Sequence, residues 1–599
     1  MQLKYLFTVI LLTCFSCVLA QEKKDSTYTK IEEFSDKRKV TKFLHRFIFR
    51  READSVSVKT DTKEKNTAQF NGKFIRHIEM ETVDPFGYTI SNKNKDTKWY
   101  DRLAEKIHID SRKSTIRNYL FFKEGEEFNS QKLYESERML RSVNFINRVN
   151  INVSESEDSK DSLDVHVKVL DSWSLKPRMS FSGSKIGLGI TEENLLGLGH
   201  ELNFYYTNNF KEKKNNFFGS YTTNNLFGTF INATILGEKD FENNERVSFS
   251  ARRDFFSPLT RWAGGFTFDY FKRKVGLPIL NSPNIPEVQI KVFSQDLWGG
   301  YQFPVFISND GKISRNIAVL GRFQNYQYKD KPEIDGGDFF HSTNSFLASA
   351  VFTDRKFSVE KNIFQYNLPE DIPYGKSFGL TGGFLARSNQ AIPYGGVSAS
   401  IGDFNILGYF NLKAQYGRFF SKEKDRQNEF RLDGTYFTPL HDWKFAKVRH
   451  FFSPTFAVGN WRYQYSYKDR MNLSGGDEFP MYNGDYIGTK KFILRYQLQL
   501  FINKSWKNFH FSPYLNATLG WLSQNGDPLF KSKTETKFGI GALIDNPHLV
   551  FNRIKVSFVY YPKLPIDSKP GFEFNSFGND RMPLSSFGTE VPQFVNFGN

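Results

Sequence analysis

The chain has 599 residues, a formal net charge of +16 and an aromatic content of 17%, including 64 Phe. So much large apolar surface excludes a largely disordered chain, and the spread of Lys and Arg without long runs argues against a nucleic-acid arm. The mean hydropathy is nevertheless polar, at −0.51. Two classes reconcile these values: a transmembrane β-barrel, whose strands face lipid on one side and water on the other, and a soluble all-β repeat protein.

Residues 1–20 have the pattern of a signal peptide, because the basic Lys4 precedes an apolar run that ends at the small Ala20. The two cysteines, Cys14 and Cys17, both lie in this run. A lipoprotein anchor at either cysteine is the alternative. After cleavage at residue 20 the mature chain would contain no cysteine and no disulfide. No later stretch has the length of apolar sequence that a spanning helix requires.

Residues 21–69 are polar and charged, and the pattern predicts a mobile leader. The stretch KVTKFLHRFIFRR within it has four large apolar residues among basic ones, namely Phe43, Leu44, Phe47 and Phe49. It predicts a short amphipathic segment, which would rest either on a membrane surface or on the next domain.

Residues 70–175 follow the order strand, helix, helix, strand, strand. FIRHIEMETV alternates as a strand, a helix is predicted from Ser114, and a second helix begins after a cap at Asn129 or Ser130. RVNINV and LDVHVKVLD are then two alternating strands. A long insert, Gly87 to Ser114, carries the spacing of an extra helix.

This order, with FKEGEEFN, LYESERMLRSVNFI, VNINV and DVHVKVLDSWSL, resembles the polypeptide-transport-associated (POTRA) domain of the BamA/TamA superfamily of outer-membrane assembly factors. The resemblance covers residues 70–172. It implies a periplasmic α+β domain whose sheet edge and adjacent groove accept an extended client as an added strand. A passive spacer is the alternative.

Residues 176–599 alternate apolar and polar residues with period two, as in RVSFSARR around Phe249 and IKVSFVYY around Val556. An Arg or Lys facing lipid at the bilayer midplane would cost about 2–4 kcal/mol, so the charged face is predicted to line the lumen. With about 10 residues per strand plus loops, this region accommodates on the order of 16 strands. The resemblance also implies sixteen. The predicted fold class is therefore β: a 16-stranded transmembrane barrel with one N-terminal POTRA-like domain.

A glycine-rich turn follows the junction between the two parts, and it matches the N-L-x-G-x-G element that follows the first barrel strand in the resembling family. Its residues are Asn194, Leu195, Gly197 and Gly199. The resemblance implies a weakly paired barrel seam there, through which a client strand could enter. A plain hairpin turn explains the glycines equally well.

A long loop before the strand KKFILRYQLQL matches the family's loop that folds back into the lumen. The candidate loop residues are Gly475, Gly476, Asp477, Phe479, Pro480, Met481, Tyr482, Asp485 and Gly488. The family's Arg-Gly-aromatic tip is absent, because Phe479 to Tyr482 stand in its place. The absence of this tip puts the family's standard insertion cycle in doubt. The resemblance still implies a loop that plugs or narrows the lumen.

The sequence offers little for catalysis. Its His residues are scattered, without metal-ligand spacing, and Gly375 to Gly379 match G-x-S-x-G in a strand-like context where a nucleophile elbow is not expected. We therefore expect no enzyme activity and no cofactor.

The residues and the resemblance together imply an outer-membrane protein that assists insertion or translocation of polypeptides. Its expected partners are outer-membrane lipid and lipopolysaccharide, unfolded polypeptide clients and periplasmic accessory proteins, with no nucleic acid. The alternatives are a gated secretion or transport pore of the two-partner type and an outer-membrane barrel enzyme.

Overall fold

The computed structural model of the chain describes most of the sequence from residue 67 onward. The described ranges are 67–83, 109–156, 161–182, 184–276, 287–307, 314–331, 340–387, 390–420, 427–460, 471–473, 479, 487–505, 509–523, 527–545, 554–564, 570–574 and 584–595. The predicted signal peptide, the polar leader up to residue 66 with its amphipathic segment, and most of the predicted insert helix lie outside these residues.

A small α/β domain comes first. After a short 3₁₀ turn (Thr67–Phe70), its elements are β1 (Phe74–Val83), α1 (Lys113–Arg117), α2 (Ser130–Ser142), β2 (Ile146–Glu155) and β3 (Ser162–Asp171). The central β3 pairs in parallel with β1 and antiparallel with β2. The predicted order of elements is confirmed, whereas the exact domain limits stay predictions.

Local chemistry explains why α2 begins where it does. The Asn129 side chain accepts hydrogen bonds from the backbone N–H groups of Gln131 and Lys132, so Asn129 rather than Ser130 is the cap. Leu133 and Leu140 then face inward, as the period of the helix predicts. They pack with the buried valines of β3 in the core of the domain.

The rest of the described chain is strand. Before the long loop the strands are β4 (Leu175–Ser182), β5 (Lys185–Leu195), β6 (His200–Asn209), β7 (Lys214–Thr223), β8 (Asn232–Lys239), β9 (Glu245–Arg253), β10 (Trp262–Gly276), β11 (Glu287–Ile307), β12 (Ser314–Asp330), β13 (Thr343–Lys361), β14 (Pro369–Arg387), β15 (Gln390–Asn405), β16 (Gly408–Phe419), β17 (Asn428–Phe437), β18 (His441–Asp442) and β19 (Ala446–Asn460). The remainder are β20 (Met471–Asn472), β21 (Ile487–Gly488), β22 (Lys490–Ile502), β23 (His510–Ser523), β24 (Glu535–Asp545), β25 (Ile554–Tyr561) and β26 (Gly571–Phe574). Two further 3₁₀ turns span Leu226–Gly228 and Leu529–Lys531.

These strands form one antiparallel sheet that closes into a barrel, while β20 and β21 pair separately. The described part of the barrel contains twenty strands, because β17 and the two-residue β18 both pair antiparallel with β19 and so count as one interrupted strand. The predicted count of sixteen is therefore too low. It assumed long connections, whereas some hairpins are very tight: only Ile406 and Leu407 separate β15 from β16.

The two faces of the barrel differ in chemistry as the alternation predicts. On β9, Val247 and Phe249 point outward, at 57% and 46% exposed, whereas Ser248 is buried. The outward, exposed side chains on other strands include Leu188, Phe204, Leu297, Phe303, Val319, Phe323, Phe346, Phe378, Leu380, Phe384, Val397, Ile401, Leu412, Leu515, Phe538, Val556 and Phe558. A water-soluble protein rarely exposes so extensive an apolar belt. No helix in the described ranges is long and apolar enough to cross a membrane.

The inner face is polar and densely bonded. Arg246 and Asp269 form an ion pair on the inner wall, at 2.9 Å between Nη2 and Oδ2, and Arg322 bonds to Asp296 on neighbouring strands. Buried polar residues of this face include Gln302, Asn316, Ser349, Thr353, Ser400, Asn411, Thr435, Gln497, Gln499 and Thr518. The prediction that charged residues line the lumen is confirmed for these strands.

Candidate functional site

The glycine-rich turn joins β5 to β6 and docks against the α/β domain. The Gly197 carbonyl accepts hydrogen bonds from the Arg112 backbone N–H at 3.0 Å and from Thr115 Oγ1 at 2.8 Å. Asn194 is fully buried: its Nδ2 donates to Ser111 Oγ at 3.0 Å, and its Oδ1 accepts from the Gly199 N–H at 2.8 Å. The turn is therefore a fixed joint between the barrel and α1.

Both glycines are required by this joint. Gly197 and Gly199 have φ angles of +73° and +67°, in the left-handed region that disfavours side chains. A Cβ atom on Gly199 would lie 2.7 Å from the Phe145 ring, and one on Gly197 would lie 2.4 Å from the Asp110 carbonyl oxygen. Close approach of the two parts and the backbone conformation both demand residues without side chains.

The turn is not at the barrel seam. The first barrel strand is β4, and the turn comes after the second strand, so the predicted seam position is wrong by one hairpin. Leu195 pairs with His200 at the end of the β5–β6 hairpin. The motif alone did not reveal β4, because the sequence of this strand, LKPRMSFS, is short and only partly alternating.

Replacing Gly199 with Ala is expected to weaken the joint by about 1–2 kcal/mol, because the new methyl group would strain a left-handed residue and press on Phe145. Protease cleavage between the domain and the folded barrel should accelerate. Gly237→Ala is the matched control, since a Cβ atom there would have no neighbour within 4 Å. Equal cleavage rates in the two variants would contradict the role of the turn.

The seam lies between β26 and β4. A single residue pair, Phe574 with Phe181, joins these strands among the described residues, and β26 pairs with β25 at only four positions. By contrast, β13 and β14 pair at nineteen positions. Residues 575–583, which follow β26, lie outside the described part of the chain.

Helix α2 makes a second, ionic contact with the barrel. Arg141 binds Asp371 of β14 through two bonds, with Nε–Oδ2 at 3.0 Å and Nη2–Oδ1 at 2.9 Å, and both side chains are largely buried. Arg138 donates to the Phe256 carbonyl at 2.8 Å. Burial, together with the nearby Asp371, raises the pKa of Tyr134, so this phenol stays neutral in the interface.

An aromatic stack completes the junction. Phe121 of the domain stacks on Phe230, at 5.3 Å between ring centroids, and Phe230 stacks on Phe256 at 4.1 Å. Phe230 and Phe256 lie in two successive turns at the same end of the barrel as the glycine-rich turn. Sequence reasoning missed this cluster and the Arg141 pair, because each joins residues that are far apart in the chain.

Two of the predicted lumen-loop residues can be placed. Phe479 is fully buried against the inner wall, where its ring packs on Gly520 and Lys537 lies 5.8 Å from the ring centroid. Gly488 belongs to β21, which pairs with β20 to form the base of the loop. The other seven, Gly475, Gly476, Asp477, Pro480, Met481, Tyr482 and Asp485, lie outside the described residues.

The lumen shows no arrangement for metal or nucleophilic chemistry in the parts of the chain that the structure describes. These parts contain no group of three His, Cys, Asp or Glu residues that could hold a metal ion. Ser377, the centre of the G-x-S-x-G match, lies within β14, and its hydroxyl bonds to that of Ser400 on β15. A nucleophile elbow needs a sharp turn from strand to helix, so this match does not form one.

Comparison with known proteins found similar structures but no sequence relatives. No family model and no curated sequence matches the chain. The chain is similar to BamA and CdiB structures. BamA from Haemophilus ducreyi lacking POTRA domains 1-3 has 12% identity, 84% coverage of each chain and a TM-score of 0.33. CdiB from Escherichia coli has 12% identity, 84% coverage of this chain and 76% of that one, and a TM-score of 0.42. CdiB from Acinetobacter baumannii has 12% identity, covers 84% and 74%, and has a TM-score of 0.40.

Proposed function

We propose that the chain is an outer-membrane β-barrel protein that assists the insertion or translocation of polypeptides. The observation that carries the proposal is the chemistry of the barrel faces: the outward belt is apolar and exposed, while the inner face is polar and paired. Such a surface is stable where hydrocarbon replaces water, and barrels of this type belong to outer membranes. The resemblance of residues 70–172 to a POTRA domain supports a periplasmic orientation for the α/β domain.

The α/β domain supports a role with polypeptide clients. Among the described residues β1 and β2 lie at the edges of its three-stranded sheet, and a strand edge is a template for an added strand. We propose that the POTRA-like domain captures an extended client and that the fixed joint at Asn194–Gly199 holds the domain beneath the barrel. The free energy for insertion would come from client folding, without a nucleotide.

A gated secretion pore is the second candidate. The observation that favours it is the position of Phe479 in the long loop, whose side chain is buried against the inner wall. A loop anchored inside a pore can narrow it, and movement of such a loop would act as a gate.

Depletion of the protein, followed by quantification of outer-membrane barrels and exported proteins, tests the proposal. Reduced levels of many barrels would support a role in assembly. Loss of one exported cargo, with the other barrels at normal levels, would support the secretion pore. Normal levels of both classes would contradict the proposed function.

A further inference from the structure

The C-terminal segment Leu584–Val595 lies inside the barrel. It follows β26, the last strand, and its contacts rise along the inner wall from the end that holds the α/β domain toward the opposite end. Leu584 packs against the cluster around Tyr409 and Phe437, whereas Phe594 packs against Tyr394 and Phe419. The segment therefore runs lengthwise through the lumen rather than away from the protein.

An ion pair and several hydrogen bonds hold the segment at successive positions along the lumen. The Lys413 ammonium bonds to both carboxylate oxygens of Glu590, at 2.6 and 2.7 Å, and Thr589 Oγ1 donates to Gln302 Oε1 at 3.2 Å. Two more bonds involve the backbone of the segment. Arg322 Nη1 donates to the Pro592 carbonyl at 2.8 Å, and the Val595 N–H donates to the Tyr394 hydroxyl at 2.9 Å.

The wall is shaped to receive the apolar side chains of the segment. Phe587 is 1% exposed and lies over Gly402, where a Cβ atom would approach its ring to 2.5 Å. Val595 lies over Gly417, where a Cβ atom would approach it to 2.8 Å. Glycine in the interior of a strand weakens the strand and often marks a place where another chain approaches closely. The inner wall thus has matched aromatic and ionic contacts for one extended peptide.

We propose that Leu584–Val595 is a tethered plug, an intramolecular ligand that occupies a peptide groove between β11 and β16 and closes the lumen until it is displaced. The groove selects an extended polypeptide that has a carboxylate flanked by aromatic side chains three and four residues away, as Phe587, Glu590 and Phe594 are arranged. This proposal depends on the proposed membrane-spanning barrel, but it does not depend on the identity of the client. A polypeptide with the same pattern would compete for the groove.

The Lys413–Glu590 pair provides the sharpest test, with the full chain in planar bilayers. Lys413→Glu and Glu590→Lys should each raise the single-channel conductance about twofold or more, because like charges expel the segment from the pore. The swapped double variant should return to the wild-type conductance. Lys555→Glu makes the same charge change on β25, away from the segment, and should leave the conductance unchanged.

Phe594→Ala provides a second test that leaves the barrel wall intact. It removes the edge-to-face contact with Tyr394 and the tilted ring contact with Phe419, so it should also raise the conductance. Heat-dependent gel mobility verifies that each variant is folded. Folded single variants with the wild-type conductance, or a double variant as open as the single ones, would overturn the plug. A wild-type chain that fails to insert into bilayers would instead overturn the proposed barrel function itself.

Discussion

Val397→Arg is expected to lower the free energy of unfolding of the barrel in a lipid bilayer by about 2–4 kcal/mol. Val397 lies in the middle of β15, points outward and is 45% exposed, so a guanidinium there would face hydrocarbon. The measurement is a urea titration of the protein folded into vesicles, followed by tryptophan fluorescence.

Asn516→Arg is the control, because it places the same side chain in the middle of β23 on the lumen face, outside the groove that holds Leu584–Val595. Its Oδ1 would lie 2.0 Å from a Cβ atom on Gly539 of the neighbouring strand, on the inner face of the wall. We expect the control to cost less than half as much as Val397→Arg. Equal costs, or a larger cost for Asn516→Arg, would reverse the assignment of the two faces and remove the basis for a membrane location.

Arg141→Ala is expected to destabilise the attachment of the α/β domain by about 3 kcal/mol. The substitution leaves the Asp371 carboxylate largely buried at the barrel end without its two guanidinium bonds. Because uncompensated burial of a charge is costly, the domain should separate from the barrel at lower denaturant concentration. Proteolytic release of the domain, measured against denaturant concentration, reports this separation.

Two further variants distinguish the effect of losing this ion pair from a general destabilisation of α2. Lys132→Ala removes a cation from the same helix, but its pair with Glu126 is well exposed, and we expect a cost of about 0–1 kcal/mol. Replacing both Arg141 and Asp371 with apolar residues should recover most of the stability, since no charge stays buried. A double variant as weak as Arg141→Ala would show that the pair does not hold the domain.

The elements of the α/β domain were predictable because each has a local cause. Asn129 accepts hydrogen bonds from the first turn of α2, and the alternating valines of β3 place one face in the core. The period-two pattern likewise predicted that Phe249 and Val556 lie on the outer face of the barrel, and this prediction does not depend on which strands pair. Each of these features depends on residues that are close together in the sequence. Each can therefore be predicted from the sequence alone.

The candidate sites were only partly predictable. Asn194, Gly197 and Gly199 were recognised as a special turn, but their role as a joint depends on Ser111, Thr115 and Phe145, which are 50 or more residues away in the sequence. The strand count failed for a related reason. The number of strands depends on hairpin lengths, and a two-residue turn such as Ile406–Leu407 carries no strong signal.

By itself, the sequence determined the class of the fold and the orientation of its side chains, because apolar and polar residues must alternate on any strand between lipid and water. The tertiary structure alone decided where the barrel closes, how the domain docks and that Leu584–Val595 returns into the lumen. These features join segments as distant as Lys413 and Glu590, whose contact becomes favourable only after the closed sheet brings their strand and the C-terminal segment together.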